Sequence, residues 1–232
     1  MRDDGGVAAL APDALIFDFD GVLADSYGAV TGSINAALAE HGLPQRPEQS
    51  LRHYIGPPTF TAFIELSGEP AGSPRLQAIV DTYRRHYASV YLEQTRAIDG
   101  VVPMLETLSA QLELAIATSK SVTFTLPLLD LLGLEPFFGV IEAARPNDTS
   151  DDKTAIVGRA LAALRAGGHR SVAMVGDRSF DIVAARAHGL PSIGVTWGIG
   201  SEAELREAGA DVLIADPGEL AALVGAGSRP RR

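Results

Sequence analysis

Two aspartates, Asp18 and Asp20 in "DFDGVLADS", stand directly after the apolar run Ala14-Leu15-Ile16-Phe17. If that run is a buried strand, both carboxylates lie at its carboxyl end, where open α/β sheets bind ligands. Residues i and i+2 share a side while a strand continues, and Gly21 permits a tight departure. Close carboxylates repel unless a cation or a shared proton relieves them. Mg²⁺, a hard cation that takes oxygen ligands, is the expected relief. Alone, "DFDG" also fits a capped loop with solvated acids. A second acidic group, in "SVAMVGDRSFD", puts Asp177 past another apolar run and Asp181 one helical turn later. These acids could complete a metal site, with Asp181 as ligand or as outer support. Equally, they could favour the positive N-terminus of a helix.

A third run, "LELAIATSK", ends in Thr118, Ser119 and Lys120. A hydroxyl and exposed N–H groups at a strand-to-helix turn suit phosphate, although Ser and Thr are also common caps. Of 19 basic residues only two are lysines, Lys120 and Lys153. A compact ammonium neutralises phosphate or carboxylate where a planar guanidinium does not fit. None of the five histidines has metal-ligand spacing with another. There is no Ser-His-Asp pattern, and neither a Walker nor a dinucleotide fingerprint.

The elements that must position these groups follow from patterning. Strands are expected at 14–19, 112–118, 137–143, 171–177, 191–197 and 211–215. Amphipathic helices are expected at 151–168, 179–189 and 201–210, with Ser179 and Ser201 as N-caps and Gly167 and Gly189 as stops. This alternation predicts a parallel sheet covered on both faces. Residues 25–97 break the rhythm and read as several helices, among them 26–42 and 73–94, around the loop "SGEPAGSP". The expected domains are an α/β core of 1–24 and 98–232 and a helical insert of 25–97.

A chain of 232 residues can bury such a core. Its net charge of −10 argues against general nucleic-acid or anionic-membrane binding. The absence of cysteine removes disulfides, thiolate catalysis and zinc–thiolate sites. No apolar run reaches the ~18 residues a membrane span needs, and "MRDDGGVAALAPD" is a poor signal peptide, so a cytoplasmic protein is expected. Residues 1–12 and the tail "GAGSRPRR" are expected to be loose ends.

Taken together and in order, the motifs resemble the haloacid dehalogenase superfamily. "DFDGVLADS" is similar to its first motif, Thr118 to the second, Lys153 to the lysine of the third, and "GDRSFD" to the fourth. "YIGPP", "ATSK" and "TWGIGSEAELREAGADVLIADPGEL" resemble the phosphoglycolate phosphatase group, with Ser121 standing where that group often has proline. The resemblance implies a Rossmann-like parallel sheet with an inserted all-helical cap. It implies that Asp18 is a nucleophile forming an aspartyl-phosphate, and that Asp20 is the general acid and then base. It further implies Mg²⁺ on the Asp18 carboxylate, the Asp20 carbonyl and Asp177, supported by Asp181. Thr118, the Ser119 backbone and Lys153 would hold phosphoryl oxygens. Dehalogenases of the superfamily usually lack the second aspartate, so Asp20 favours phosphoryl transfer. Arg52, Tyr54 and Gly56 are candidates for the cap surface facing the core, or ordinary cap packing.

The leading expectation is a Mg²⁺-dependent phosphatase of a small phosphorylated metabolite: phosphoglycolate-like, a sugar phosphate or a nucleoside monophosphate. It would be a monomer or homodimer, with no nucleic-acid or membrane partner. A β-phosphoglucomutase-like phosphotransferase would use the same motifs. A phosphorylation-switch receiver module and a non-catalytic phosphate-binding protein are the remaining alternatives.

Overall fold

The computed structural model describes residues 11–57, 59–146 and 151–225. Six parallel strands form one sheet: β1 (Ala14–Phe17), β4 (Glu113–Ser121), β5 (Val140–Ala144), β6 (Val172–Gly176), β7 (Ser192–Val195) and β8 (Val212–Ile214), in the order β5-β4-β1-β6-β7-β8. All six expected strands form. β1 is central, with Phe17 in register with Ile116 on one side and Val175 on the other. The chain moves outward from β1 in both directions, so the topological switch point lies at the carboxyl ends of β1, β4 and β6.

Period-2 geometry splits β1 between two cores. Leu15 and Phe17 face one core with Val101, Leu105 and Leu108 of α5 (Val101–Ser109) and Leu220 of α10 (Pro217–Gly225). Ala14 and Ile16 face the other, with Ile156, Val157 and Ala160 of α7 (Lys153–Ala166) and Ala184 and Ala185 of α8 (Ser179–Ala187). Burial on both faces is why these strands read as continuous apolar runs.

Between Asp25 and Arg96 the chain forms α1 (Tyr27–Glu40), α2 (Glu48–Leu51), α3 (Thr59–Ser67) and α4 (Pro74–Gln94). Their apolar faces make a separate core that includes Ile34, Leu38, Phe63, Ile79 and Tyr87. Ser73 caps α4 by accepting from the Leu76 N–H at 3.0 Å, with proline at the first helical position. Departure and return pair as a two-residue antiparallel ribbon, β2 (Ala24–Asp25) with β3 (Arg96–Ala97), in register Ala24↔Ala97 and Asp25↔Arg96. The sequence reading did not anticipate this ribbon, because two residues carry no periodicity.

α9 (Glu202–Ala208) is capped by Ser201 as expected. Ser179 is not a cap: Arg178 takes the N-cap position, with its N–H held by Asp181 at 3.0 Å, and Ser179 is the first helical residue, bound to Glu204. The reason is local competition, since the Asp181 carboxylate satisfies the helix entry better than a hydroxyl can. The two expected loose ends fall largely outside the described residues, as do Pro58 of "YIGPP" and residues 147–150. Among the described residues no helix is long and apolar enough to cross a membrane.

Candidate active site

Three strand ends and two helix starts converge at the switch point. Asp18 extends the ladder by one residue, its N–H donating to the Val175 carbonyl at 3.0 Å. That bond fixes its carboxylate beside the end of β6, from which Asp177 projects. Asp181 arrives from the first turn of α8. Ligand oxygens of Asp18, Asp177 and Asp181 lie within 4.8 Å of one another, all buried. Two glycines make room for Asp177. At Gly21, with φ +82°, an added Cβ would run into the Asp177 carboxylate, and at Gly198 it would lie 2.5 Å from it.

Lys153 enters from the start of α7, 8% exposed, and is the counter-charge of this cluster. Its Nζ lies 2.7 Å from Asp18 Oδ1 and 2.8 Å from Asp181 Oδ1, and donates to the Ala117 carbonyl at 2.8 Å. Asp152 places it by capping α7 through the Ala155 N–H at 2.8 Å. Asp151 anchors the preceding turn, accepting from the Arg145 N–H at 2.8 Å and pairing with Arg159.

Burial pushes the Asp18 carboxyl up to about 6; Lys153 opposes this, and the Asp181 and Asp20 charges reinforce it. Burial likewise raises Asp177 well above the carboxylate range, with Asp181 and Asp18 adding to it, although the Ile199 N–H donates to its Oδ2 at 2.6 Å. Burial works against the Lys153 ammonium, yet Asp18 and Asp181 more than offset it and hold its pKa above the ordinary value.

Asp20 occupies a different setting on the same loop. Its Oδ1 accepts from Ser26 Oγ at 2.6 Å, and its Oδ2 pairs with Lys120 Nζ at 2.9 Å. Lys120 also donates to the Tyr87 hydroxyl of α4 at 2.7 Å. Thr118 and Ser119, at the end of β4, line the same cavity as Asp18 and Asp20. Thr118 is buried and its Oγ1 accepts from the Lys120 N–H at 3.2 Å, which leaves its hydroxyl hydrogen to donate.

The structure therefore brings Asp18, Lys153, Asp177 and Asp181 into one cluster, with Asp20, Thr118 and Ser119 at its mouth. The cluster also suits a divalent cation. Asp177 Oδ1 is buried with no partner, and three buried carboxyl groups converge around one ammonium. Of the cap candidates, Arg52 reaches the core, its guanidinium donating to the Gly198 carbonyl at 2.8 Å and to that of Ile199. Tyr54 lines the cavity and Gly56 lies against Arg178 and Phe180.

Arg178 was not anticipated. It bonds the Ile55 carbonyl and Glu204, joining the helical insert to the loop after β6. Tyr87 was also missed, although Tyr83, Tyr87 and Tyr91 recur at every fourth position of a helix and so share one face.

Comparison with known proteins agrees with this geometry. The profile of the haloacid dehalogenase-like hydrolases matches residues 15–195, and the chain belongs to that family. It is 36% identical over 191 residues to the tyrosine-protein kinase PtkA of Mycobacterium tuberculosis, covering 82% of this chain but only 64% of that protein. It is 31% identical over 207 residues to a 5'-nucleotidase of Pseudomonas aeruginosa, covering 89% and 90% of the two chains. Identity to a phosphoglycolate phosphatase of Agrobacterium fabrum is 31% over 208 residues, 87% of each. A crystal structure titled as a predicted phosphatase from Clostridium acetobutylicum superposes with a TM-score of 0.85 at 28% identity, covering 93% of this chain and 99% of that one.

Proposed function

We propose that this protein is a Mg²⁺-dependent phosphomonoesterase that transfers the phosphoryl group of a small metabolite to Asp18 and then to water. The observation that carries the reading is the pair of unlike aspartates on one loop. Asp18 is buried against an ammonium at 2.7 Å, and Asp20 is held 2.6 Å from a serine at the cavity mouth. In this reading Asp18 attacks and Asp20 moves a proton.

An Asp18 oxygen attacks phosphorus, the bond from phosphorus to the ester oxygen breaks, and that oxygen takes the proton of the Asp20 carboxyl. Asp20, now ionised, removes a proton from water. The water oxygen attacks phosphorus, the Asp18–phosphorus bond breaks, and inorganic phosphate leaves. Thr118, the Ser119 backbone and Lys153 hold the phosphoryl oxygens. The Asp18 carboxylate, the Asp20 carbonyl and Asp177 would hold Mg²⁺, with Asp181 supporting. Bound there, the cation supplies the positive charge that lets an anionic phosphate approach an anionic nucleophile. Residues 1–24 and 98–232 would act as the catalytic core and 25–97 as the cap that excludes water, in a cytoplasmic protein.

Phosphate release from a panel of monoesters, with Mg²⁺ and with EDTA, tests this in wild type and Asp18→Asn. Metal-dependent release that falls on the order of 10⁴-fold or more in the variant is expected. A fully active Asp18→Asn protein would sink the mechanism. Transfer to an added alcohol in preference to water would instead mark a phosphotransferase, the reading that the kinase-named relative keeps in view.

A further inference from the structure

Asp20 protonates the leaving oxygen in the mechanism above, so the group attached to that oxygen must extend past Asp20 and not past Lys153. What lies there is a column of rings. Lys120, paired with Asp20 at 2.9 Å, meets the Tyr87 hydroxyl at 2.7 Å. Tyr87 stacks on Tyr83 with ring centroids 5.9 Å apart and an interplanar angle of 17°. Tyr83 meets Phe63 at 5.4 Å, and Phe124, from α6 (Val122–Leu131) of the core, closes edge-on against Tyr87 at 4.9 Å. Beyond them the Arg84 guanidinium sits over the Phe60 ring at 5.6 Å. All seven side chains line one cavity of about 1070 Å³ that also opens onto Asp18 and Asp20.

That cavity is far larger than a two-carbon leaving group needs, at the upper end of the ~300–1,000 Å³ typical of drug-sized ligands. Lys120 is also matched already by Asp20 and Tyr87, which weakens it as a partner for a carboxylate on the leaving group. Ring faces and edges instead reward a flat, polarisable group, through offset stacking or edge contact.

We infer that the substrate is a phosphate ester whose leaving group carries a planar ring, stacked in the cavity against Tyr83 and Phe60. This rests on the phosphomonoesterase reading and narrows its substrate class. Two sources share that chemistry, a nucleoside monophosphate and an aryl phosphate.

The test compares kcat/KM for AMP, 4-nitrophenyl phosphate, phosphoglycolate and glycerol 3-phosphate in wild type and Tyr83→Ala, with Mg²⁺. At least one ring ester should exceed both ring-free esters about tenfold or more. The ratio of ring to ring-free kcat/KM should then fall about tenfold in the variant, chiefly through KM. Preference for AMP assigns the ring to a nucleobase, and preference for the nitrophenyl ester to an aryl group. Phosphoglycolate or glycerol phosphate turned over as well as the ring esters would overturn the inference and leave the phosphatase reading intact. Should no ester be hydrolysed, the phosphatase reading falls, and calorimetry with phenylphosphonate and methylphosphonate decides the ring site separately. Tighter phenylphosphonate binding that Tyr83→Ala abolishes upholds it, and equal binding ends it.

Discussion

The two buried lysines mark two halves of the site with opposite designs. Lys153 pairs with two carboxylates: it sits within 2.8 Å of Asp18 and Asp181, and the third acid, Asp177, keeps a buried oxygen with no partner. Lys120 serves one carboxylate and one phenol, and both Asp20 oxygens are partnered. The first half is short of positive charge by construction, and burial accordingly pushes Asp18 and Asp177 upward. The second half is balanced within itself and ties the core to the helical insert. Charge deficit suits a site that draws in a cation. Balance holds the Asp20 side chain in one place, between Ser26 and Lys120.

The largest expected break in this contrast is Lys153→Met. Removing the ammonium beside Asp18 and Asp181 leaves buried carboxylates without this counter-charge, at a cost of about 3–5 kcal/mol. We expect a clear drop in the denaturant midpoint together with a phosphatase rate reduced by on the order of 10³-fold. Retained stability and rate would place the counter-charge elsewhere. Lys120→Met should cost less, on the order of 10²-fold in kcat, because Ser26 still holds Asp20. Steady-state kinetics on the two variants side by side checks the ranking.

Metal response separates the halves by pH. Asp18 has a folded pKa of about 6 against an ordinary value of 3.8, so the folded chain binds more protons than the unfolded one between those values. Its contribution to stability is therefore full below about pH 4 and is lost as pH rises toward 6, with Asp177 shifted in the same direction. A cation restores what ionisation costs, and protons compete with it. Thermal melts should show a larger Mg²⁺-induced rise in Tm at pH 7.5 than at pH 5.0. Asp177→Asn should remove most of that rise, whereas Lys120→Met should keep it. Equal rises at both pH values would contradict the charge-deficit account.

The smallest effect is expected at the phenol. Tyr87→Phe keeps the ring and removes one hydrogen bond from the Lys120 ammonium, worth about 1.5–3 kcal/mol for a charged donor, so kcat should fall roughly tenfold and the melting temperature by a few degrees. A larger loss would mean that the insert controls Asp20 more tightly than one bond explains.

The strands could be read from the chain because a parallel sheet buried on both faces leaves unbroken apolar runs, and Asp18, Thr118 and Asp177 could be placed because each ends one. Lys153 stood out because lysine is so rare here. The sequence could not show that Arg178, not Ser179, caps α8, since that depends on Asp181 folding back to the helix entry. Nor could it show the two-residue ribbon at the base of the insert.

By itself, then, the sequence determined the parallel sheet, the strand ends that carry the acids and the length of chain inserted after the first of them. These are local matters of periodicity and spacing. Only the tertiary structure decided which lysine meets which aspartate, and that rings of α3 and α4 line one cavity with Asp20. Those pairings join Asp20 to Lys120 and Tyr87, residues distant in sequence, and depend on how the inserted helices are set against the core. No spacing along the chain encodes that angle, because it is fixed by packing between surfaces that meet only once both have folded.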